Sequence, residues 1–253
     1  MPKNPNLLRI VHGGNAKLPG FVSTFSIPAG YTCPGAHLCK AHFSVSKKQI
    51  IDGPAQIYRC YAATNEAVFK SSREMRARNY NLLIQARQDD PENGMYRLIR
   101  DSLEQDIICV RLHASGDFFS QDYFDAWMRA IEGRPDVKFY AYTKSHPIVA
   151  NWIIDRGLPL PDNFQLTLSD GSKRDDLIPI IQAHDARIGA AYAVFHPEVA
   201  EKARLPIDHT DQHARDGGHD FALLLHGSQP AGSSAGEALK RMKKENIDFA
   251  YSA

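Results

Sequence analysis

The fold is decided by the stretch Ile107-Ile108-Cys109-Val110-Arg111-Leu112-His113, which is followed by a helix and then by Val137-Lys138-Phe139-Tyr140-Ala141-Tyr142-Thr143. Ser120 can cap the intervening helix, Gly133 can end it, and its apolar residues fall on one face. Apolar strands that are joined through a helix are typical of a parallel sheet covered on both faces. The stretch therefore predicts a βαβ unit.

The same alternation repeats along the rest of the chain. Apolar runs at 21–27, 164–169, 188–195 and 221–227 predict four more strands, most of them followed by a helix. Six strands in alternation with helices predict an α/β fold, a (β/α) TIM-like barrel that is partial or distorted and has about six parallel strands. A doubly wound open sheet is the alternative.

Length and composition are those of one globular domain. The 253 residues are 43% hydrophobic and 23% charged. We expect a single domain over 1–253, with an irregular arm over 1–20 and a cysteine-bearing metal loop over 28–63. The net charge of +1 gives no overall attraction for nucleic acid or for an anionic membrane.

The sequence offers no export or membrane signal. Its first residues lack the apolar run of a signal peptide, and no apolar segment approaches the roughly 20 residues that span a bilayer. We therefore expect a cytoplasmic protein whose four cysteines are reduced thiols.

Three of the four cysteines lie in the predicted loop after the first strand. Five residues separate Cys33 from Cys39, and twenty separate Cys39 from Cys60. Thiolates so placed can ligate one metal centre, and both zinc and iron–sulfur clusters accept three cysteines with a position left open. The alternative is that the three are ordinary buried cysteines.

Polar residues collect where the predicted strands end. Because the carboxyl ends of parallel strands meet at one edge, these residues predict a ligand site there. The polar and glycine residues at these ends are His113, Ser115, Gly116, Asp117, Lys144, Ser169 and His226. Helix caps and tight turns are the alternative explanation, and they account for Ser120, Ser172 and Ser233.

Alternation along the central strand places Cys109, Arg111 and His113 on one face. Arginine and histidine on a covered face are costly unless paired, so we expect Arg111 and His113 to meet carboxylates or a ligand. Cys109 lies about 13 Å below His113 at the usual rise per residue, and we interpret it as a core cysteine. The polar segment 208–220 offers His209 or His213 as a further metal ligand, with a solvated loop as the alternative.

Several segments resemble the bacteriophage gene product 88 family. They are Cys33-Pro34-Gly35-Ala36 with Cys39 and Cys60-Tyr61-Ala62, His113-Ala114-Ser115-Gly116-Asp117-Phe118-Phe119-Ser120 with Trp127, and Phe139-Tyr140-Ala141-Tyr142-Thr143-Lys144-Ser145. The resemblance covers about residues 20–170 and implies a viral protein of the host cytoplasm. No cysteine follows Cys109, so the chain lacks the further cysteines that other members carry in this part.

The layout is also similar to that of radical S-adenosylmethionine enzymes. This similarity implies a [4Fe–4S] cluster held by Cys33, Cys39 and Cys60, with S-adenosylmethionine or another small molecule at the open iron. Ser115-Gly116-Asp117 stands where those enzymes receive the amino group of the cofactor. We therefore predict catalytic roles for His113, Asp117 and Lys144, and cofactor-binding roles for Arg111, Ser115, Gly116, Ser169 and His226.

Two other functions fit the sequence. A non-catalytic iron–sulfur protein would take electrons from a donor or sense redox state. A zinc-stabilised module would bind nucleic acid through the basic helix predicted over 64–87, in which Arg73, Arg76 and Arg78 would contact phosphates. A solvated basic face is the alternative for this helix.

Overall fold

The protein is a mixed α/β fold built on a mainly parallel seven-stranded sheet. The structure, a computed structural model, describes residues 4–13 and 18–247. The strands are β1 Val11–His12, β2 Val22–Ser26, β3 Ala41–Ser44, β4 Gln49–Asp52, β5 Cys109–Ser115, β6 Lys138–Thr143, β7 Phe164–Ser169, β8 Gly189–Val194 and β9 Phe221–Leu224. Strands β3 and β4 form a separate hairpin, and the other seven form the main sheet.

Helices connect the parallel strands. They are α1 Tyr61–Val68, α2 Lys70–Asp89, α3 Gly94–Ser102, α4 Gln121–Glu132, α5 His146–Ala150, α6 Ile178–His184, α7 Pro197–Ala203, α8 Gln212–Asp216 and α9 Ser234–Lys244. A π-helical turn, Asn151–Asp155, extends α5, and a 3₁₀ turn, Asp175–Leu177, precedes α6. Among the described residues, none of these helices has the length and apolar character that a bilayer span requires.

The strand order of the main sheet is β1-β2-β5-β6-β7-β8-β9. All six predicted strands are present, and they pair in parallel in the order of the sequence. A doubly wound sheet reverses its strand order, and this sheet does not, so the doubly wound alternative is wrong. In the described part of the chain β1 and β9 are the two edges, and no pairing between them closes a barrel.

The predicted irregular arm contains a short strand instead. Within it β1 pairs antiparallel with β2, at Val11 opposite Thr24 and His12 opposite Ser23. Residues 1–3 and 14–17 of the predicted arm lie outside the described residues. The arm therefore extends the sheet by one strand at its edge.

The two faces of the sheet are packed differently. On one face Val110, Leu112 and Phe139 belong to the largest apolar cluster, together with the fully buried Trp127 of α4. Truncating a buried tryptophan to alanine costs about 3–5 kcal/mol, so α4 contributes a large part of the stability. On the other face Cys109, Tyr140 and Phe221 pack with Leu18 and with Ala214 of α8. Cys109 is thus a core residue, as predicted, and α8 covers this face near the amino ends of the strands.

A bulge near the end of β5 turns His113 away from the predicted face. Thr24 of β2 pairs with Arg111, but Ser26 pairs with Ser115, so β5 carries extra residues between these positions. His113 takes a left-handed φ of 55° there. Its ring lies 4.5 Å from that of Phe118, on the side of α4, so the prediction that His113 shares a face with Arg111 is wrong. The bulge and the left-handed backbone of His113 break the regular alternation of side chains that the prediction assumed.

Candidate functional site

The cysteine-bearing loop begins directly after β2 and returns at the start of α1. Cys33 and Cys39 lie in its first part, the β3–β4 hairpin follows, and Cys60 occupies the N-cap position of α1. The hydroxyl of Thr32 donates to the carbonyl of Pro28 at 2.6 Å, which tightens the turn before Cys33. The hairpin therefore fills most of the long spacing between the second and third cysteines.

The loop lies against the carboxyl ends of β6 and β7. The backbone N–H groups of His37 and Leu38 donate to the carbonyl of Gly171 at 3.1 and 3.0 Å. The N–H of Lys173 donates in turn to the carbonyl of Gly35 at 2.8 Å. Backbone contacts rather than side chains thus position the cysteines over this edge of the sheet.

The three cysteines lie near one another and are half-buried. Burial raises the pKa of Cys33 and Cys60, and it raises the pKa of Cys39 to about 11. The negative charges of Asp117 and of the other two cysteines raise the pKa of Cys33 further. Such thiols stay protonated at neutral pH, and they become ligands when a metal displaces their protons.

The spacing of the three sulfurs is wider than that of a compact metal site. Within the described residues, His12, Glu104 and Asp106 are the only His, Cys, Asp or Glu side chains whose ligand atoms gather as a triplet within 4.8 Å of one another. The sulfurs of Cys33, Cys39 and Cys60 therefore do not all lie within that distance.

Asp117 joins the ends of β5 and β6. Its carboxylate accepts hydrogen bonds from the Thr143 hydroxyl at 2.6 Å and from the backbone N–H groups of Lys144 and Phe118 at 2.8 and 2.7 Å. Burial raises the pKa of Asp117, while these hydrogen bonds lower it. The carboxylate of Asp117 thus links the two strand ends, and these hydrogen bonds use most of its capacity to accept others.

Lys144 places a cation beside the cysteines. Burial lowers its pKa, but the neighbouring acidic groups of Tyr58, Cys39 and Asp170 raise it by more, so the ammonium stays charged. Asp170 accepts a hydrogen bond from the backbone N–H of Ala193 at 2.9 Å, and burial raises its pKa. Asp170, which the sequence analysis did not single out, therefore joins the predicted Lys144 at this edge.

A buried ion pair lies behind the third cysteine. The Glu66 carboxylate accepts from Arg76 at 3.1 Å, from the backbone N–H of Ala29 at 2.9 Å and from the hydroxyl of Ser115 at 3.3 Å. The side chains of Arg76 and Glu66 are only 9% and 4% exposed. Sequence reasoning missed this pair, because a separation of ten residues across two helices follows no local pattern.

The segment that follows β9 contacts the residues on either side of Cys60. The side-chain oxygen of Gln229 accepts from the backbone N–H of Arg59 at 2.6 Å, and its amide donates to the Arg59 carbonyl at 3.0 Å. The ring of Tyr61 packs edge-on against that of His226 at 4.9 Å, and its hydroxyl donates to the carbonyl of Ala114. The predicted residue His226 thus lies beside the segment that carries Cys60.

Two predicted residues lie away from the cysteines on opposite faces of β5. Arg111 pairs with Asp211 at 2.6 Å, which confirms that it meets a carboxylate, and its guanidinium lies over the ring of Tyr142. His113 bonds the Tyr123 hydroxyl at 3.0 Å, and burial lowers its pKa to about 3. It is therefore neutral at physiological pH and enclosed by aromatic rings.

Gly116 and Ser169 lie at the ends of two strands, β5 and β7. A Cβ on Gly116 would lie 2.3 Å from Ile27 Cγ1 and 2.7 Å from Thr32 Oγ1, so this glycine lets the cysteine loop approach β5. Ser169 ends β7, half-buried, at the edge that carries the loop.

His213 bonds His219 and stacks on Phe221 beside the start of β9, so the structure does not bring it to the cysteines.

The arginines of α2 are engaged within the protein. Arg76 forms the buried pair, Arg73 donates to the carbonyl of Glu66, and Arg78 donates to the carbonyls of Pro5 and Leu7. Of these three arginines only Arg73 lines an open groove of about 730 Å³, and none of the residues predicted for the cluster or its ligand lines it. Its lining residues are Phe43, Val45, Lys48, Gln49, Ile50, Arg59, Ala67 and Arg73.

Comparison with known proteins identifies relatives in bacteriophages. A family model described as Gene product 88 matches residues 4–245. The chain is 29% identical over 152 residues to the Gene 88 protein of Mycobacterium phage L5 and, to the same extent, to that of Mycobacterium phage D29. Each match covers 56% of this chain and 55% of the relative, so the chain spans about half the length of these curated relatives. No solved structure matches the chain.

Proposed function

This chain belongs to the gene product 88 family, and from that premise we propose that it is an iron–sulfur protein. Cys33, Cys39 and Cys60 are the proposed ligands of a [4Fe–4S] cluster, over a sheet that we infer to curve as a partial barrel. The observation that carries the proposal is the convergence of these three cysteines at the carboxyl edge of the sheet, while Cys109 packs in a separate cluster.

The sulfurs are spaced more widely than a single tetrahedral zinc ion requires. Tetrahedral zinc at a Zn–S distance of about 2.3 Å holds its sulfurs roughly 3.8 Å apart. An iron–sulfur cubane holds them farther apart, because each cysteine ligates a different iron. The three sulfurs here do not all lie within 4.8 Å of one another, so they are not arranged for a single zinc ion.

The charges around the cysteines support the same assignment. Three thiolates give a cluster an overall negative charge, and a buried anion needs a nearby cation. Lys144 supplies that cation beside Cys39. The Arg76 guanidinium lowers the pKa of Cys60 from the other side, although burial outweighs it.

Three protein ligands leave one iron for a small molecule, and S-adenosylmethionine is the molecule that we propose to test first. The cluster, when bound, would supply one-electron chemistry at that position. Asp117 already accepts three hydrogen bonds, so we assign the contact with an amino group to Asp170 instead. His226 and Tyr61 would enclose the ligand from the side of β9.

The nucleic-acid alternative has less support. Arg73, Arg76 and Arg78, which would contact phosphates in that reading, are bonded to groups of the protein itself. A non-catalytic iron–sulfur protein shares the same ligands, and the response to a small molecule separates it from an enzyme.

The proposal predicts that iron depends on three cysteines and not on the fourth. After anaerobic purification and reconstitution, we expect brown protein with iron and acid-labile sulfide in the unaltered chain. Cys33→Ala, Cys39→Ala and Cys60→Ala should each lose most of the iron, because each removes one ligand. Metal and sulfide analysis with a visible spectrum measures the outcome.

Cys109→Ala is the matched control, since it removes a buried cysteine that takes no part in the site. Equal iron in all four variants, or colourless protein after reconstitution, would refute the proposal.

For the small molecule, S-adenosylmethionine should change the electron paramagnetic resonance spectrum of the reduced cluster. An unchanged spectrum at saturation assigns the protein to electron transfer or redox sensing.

A further inference from the structure

A second group of metal-ligating side chains lies at the amino end of β5, whereas the cysteines lie at the carboxyl ends of the strands. One ligand atom each of His12, Glu104 and Asp106 lies within 4.8 Å of the others. His12 belongs to β1, and the two acids lie in the turn between α3 and β5. Asp106 precedes Cys109, the first residue of β5, so this group stands at the amino end of that strand and the cysteines at the carboxyl edge.

The ring of His12 is held on both sides. Its Nδ1 lies 3.0 Å from the hydroxyl of Ser23, which is buried on β2, and its Nε2 lies 3.2 Å from a carboxylate oxygen of Glu104. A ligating histidine usually has its other ring nitrogen fixed by such a partner, which sets the tautomer and the ring orientation. Ser23 can do this for His12 when a metal replaces the direct contact between Nε2 and Glu104.

The distances suit one shared ion. Two ligands at about 2.1 Å from a metal are separated by roughly 3.0–3.4 Å, depending on whether the geometry is octahedral or tetrahedral. The separation of 3.2 Å between His12 and Glu104 falls in that range. The third ligand atom, from Asp106, lies within 4.8 Å of the other two.

Electrostatics also favours a cation at this point. An exposed histidine–carboxylate pair contributes only about 0–1 kcal/mol by itself. Glu104 and Asp106 place a second negative charge within 4.8 Å of the first, and like charges this close repel. A divalent cation between the two carboxylates would attract both of them and offset their mutual repulsion.

We propose that His12, Glu104 and Asp106 bind one divalent transition-metal ion, with water at its remaining positions. One imidazole and two carboxylates are a donor set that accepts Mn²⁺, Fe²⁺ or Zn²⁺. The ion links β1, a strand of two residues at the sheet edge, to the turn that begins β5. Its role is to fasten the N-terminal edge of the sheet, and it does not depend on the cysteine site.

Titration of the full-length chain with Mn²⁺, followed by the electron paramagnetic resonance signal of the free ion, tests this site. Mn²⁺ is the probe because thiolates prefer softer metals, so the cysteines compete little. We expect one bound Mn²⁺ per chain and an affinity about tenfold or more weaker in Asp106→Asn and in Glu104→Gln. Asp101→Asn, which alters an exposed acid at the end of α3, is the matched control and should bind as the unaltered chain does.

The Asp106→Asn change is at an exposed position, so circular dichroism should show an intact fold. Absence of Mn²⁺ binding by the unaltered chain would overturn the proposal. Equal affinity in Asp106→Asn, Glu104→Gln and the unaltered chain would overturn it too. Neither result would bear on the iron content of the cysteine site.

Discussion

Gly35 determines how closely the cysteine loop can approach the sheet. A Cβ at this position would lie 1.9 Å from the carbonyl oxygen of Lys144 and 2.5 Å from its carbonyl carbon. Both atoms belong to backbone, which cannot move aside as a flexible side chain can. Any larger residue must therefore push the loop, and Cys33 with it, away from the end of β6.

We predict that Gly35→Ala separates cluster binding from folding. The displaced loop should cost about 1–3 kcal/mol of stability, as overpacking usually does, and should remove most of the bound iron. Denaturant unfolding measures the stability, and iron analysis of the reconstituted protein measures the binding.

Gly20→Ala is the matched control, because a Cβ there meets no atom within 4 Å. It should leave iron content unchanged. A Gly35→Ala protein with full iron and the stability of the unaltered chain would show that the loop has more freedom than this contact allows.

Residue types at the strand ends were predictable, but their roles were not. The parallel topology correctly placed Asp117, Lys144 and His226 at one edge with the cysteines. The bulge that turns His113 into the core depends on the pairing of β5 with β2, which is a contact distant in sequence. Histidine tolerates a left-handed φ better than most residues do, yet nothing local to His113 marks the extra residue.

Between elements, the pair Glu66–Arg76 connects α1 to α2 and both to the cysteine loop. Glu66 also accepts a hydrogen bond from Ala29, which lies at the start of that loop. Removing one member of a buried ion pair leaves a charge without compensation, which costs about 3–5 kcal/mol. The pair should therefore be a large contributor to the stability of this part of the molecule.

We predict that Glu66→Ala lowers the free energy of unfolding by about 3–5 kcal/mol. The exposed pair Lys70–Glu74 within α2 supplies the control, with side chains 77% and 64% exposed. Glu74→Ala should cost about 0.5 kcal/mol or less. Chemical denaturation of both variants measures the difference, and equal losses would contradict the structural importance of the buried pair.

Long apolar elements were predictable from the sequence, and short polar ones were not. The six parallel strands and α4 follow from apolar runs bounded by caps and turns. The hairpin of β3 and β4 was missed, because its turn uses Lys48 at a φ of 52° in place of the glycine or asparagine that usually marks such a turn. Strand β1 is too short to produce a pattern, since it has two residues.

For the whole molecule, the strand order predicts a gradient of local stability. Strands β5, β6 and β7 lie inside the sheet between other strands, whereas β3 and β4 pair only with each other among the described strands. Amides of central strands open only with larger unfolding events, while small exposed units open locally.

Hydrogen exchange read by mass spectrometry should therefore show the slowest amides in β5–β7 and exchange about a hundredfold or more faster in the hairpin, which corresponds to about 3 kcal/mol. Peptides from both regions come from the same sample, so each serves as the reference for the other. A hairpin as protected as β6 would show that it is part of the cooperative core.

The contact between Arg59 and Gln229 also bears on how the chain is made. From β6 onward each strand pairs with the strand translated just before it, so the sheet can grow during translation. The hydrogen bonds between Gln229 and Arg59 span 170 residues and join the segment before Cys60 to the segment that follows β9. The segment that carries Cys60 therefore takes its final contacts only after β9 has joined the sheet.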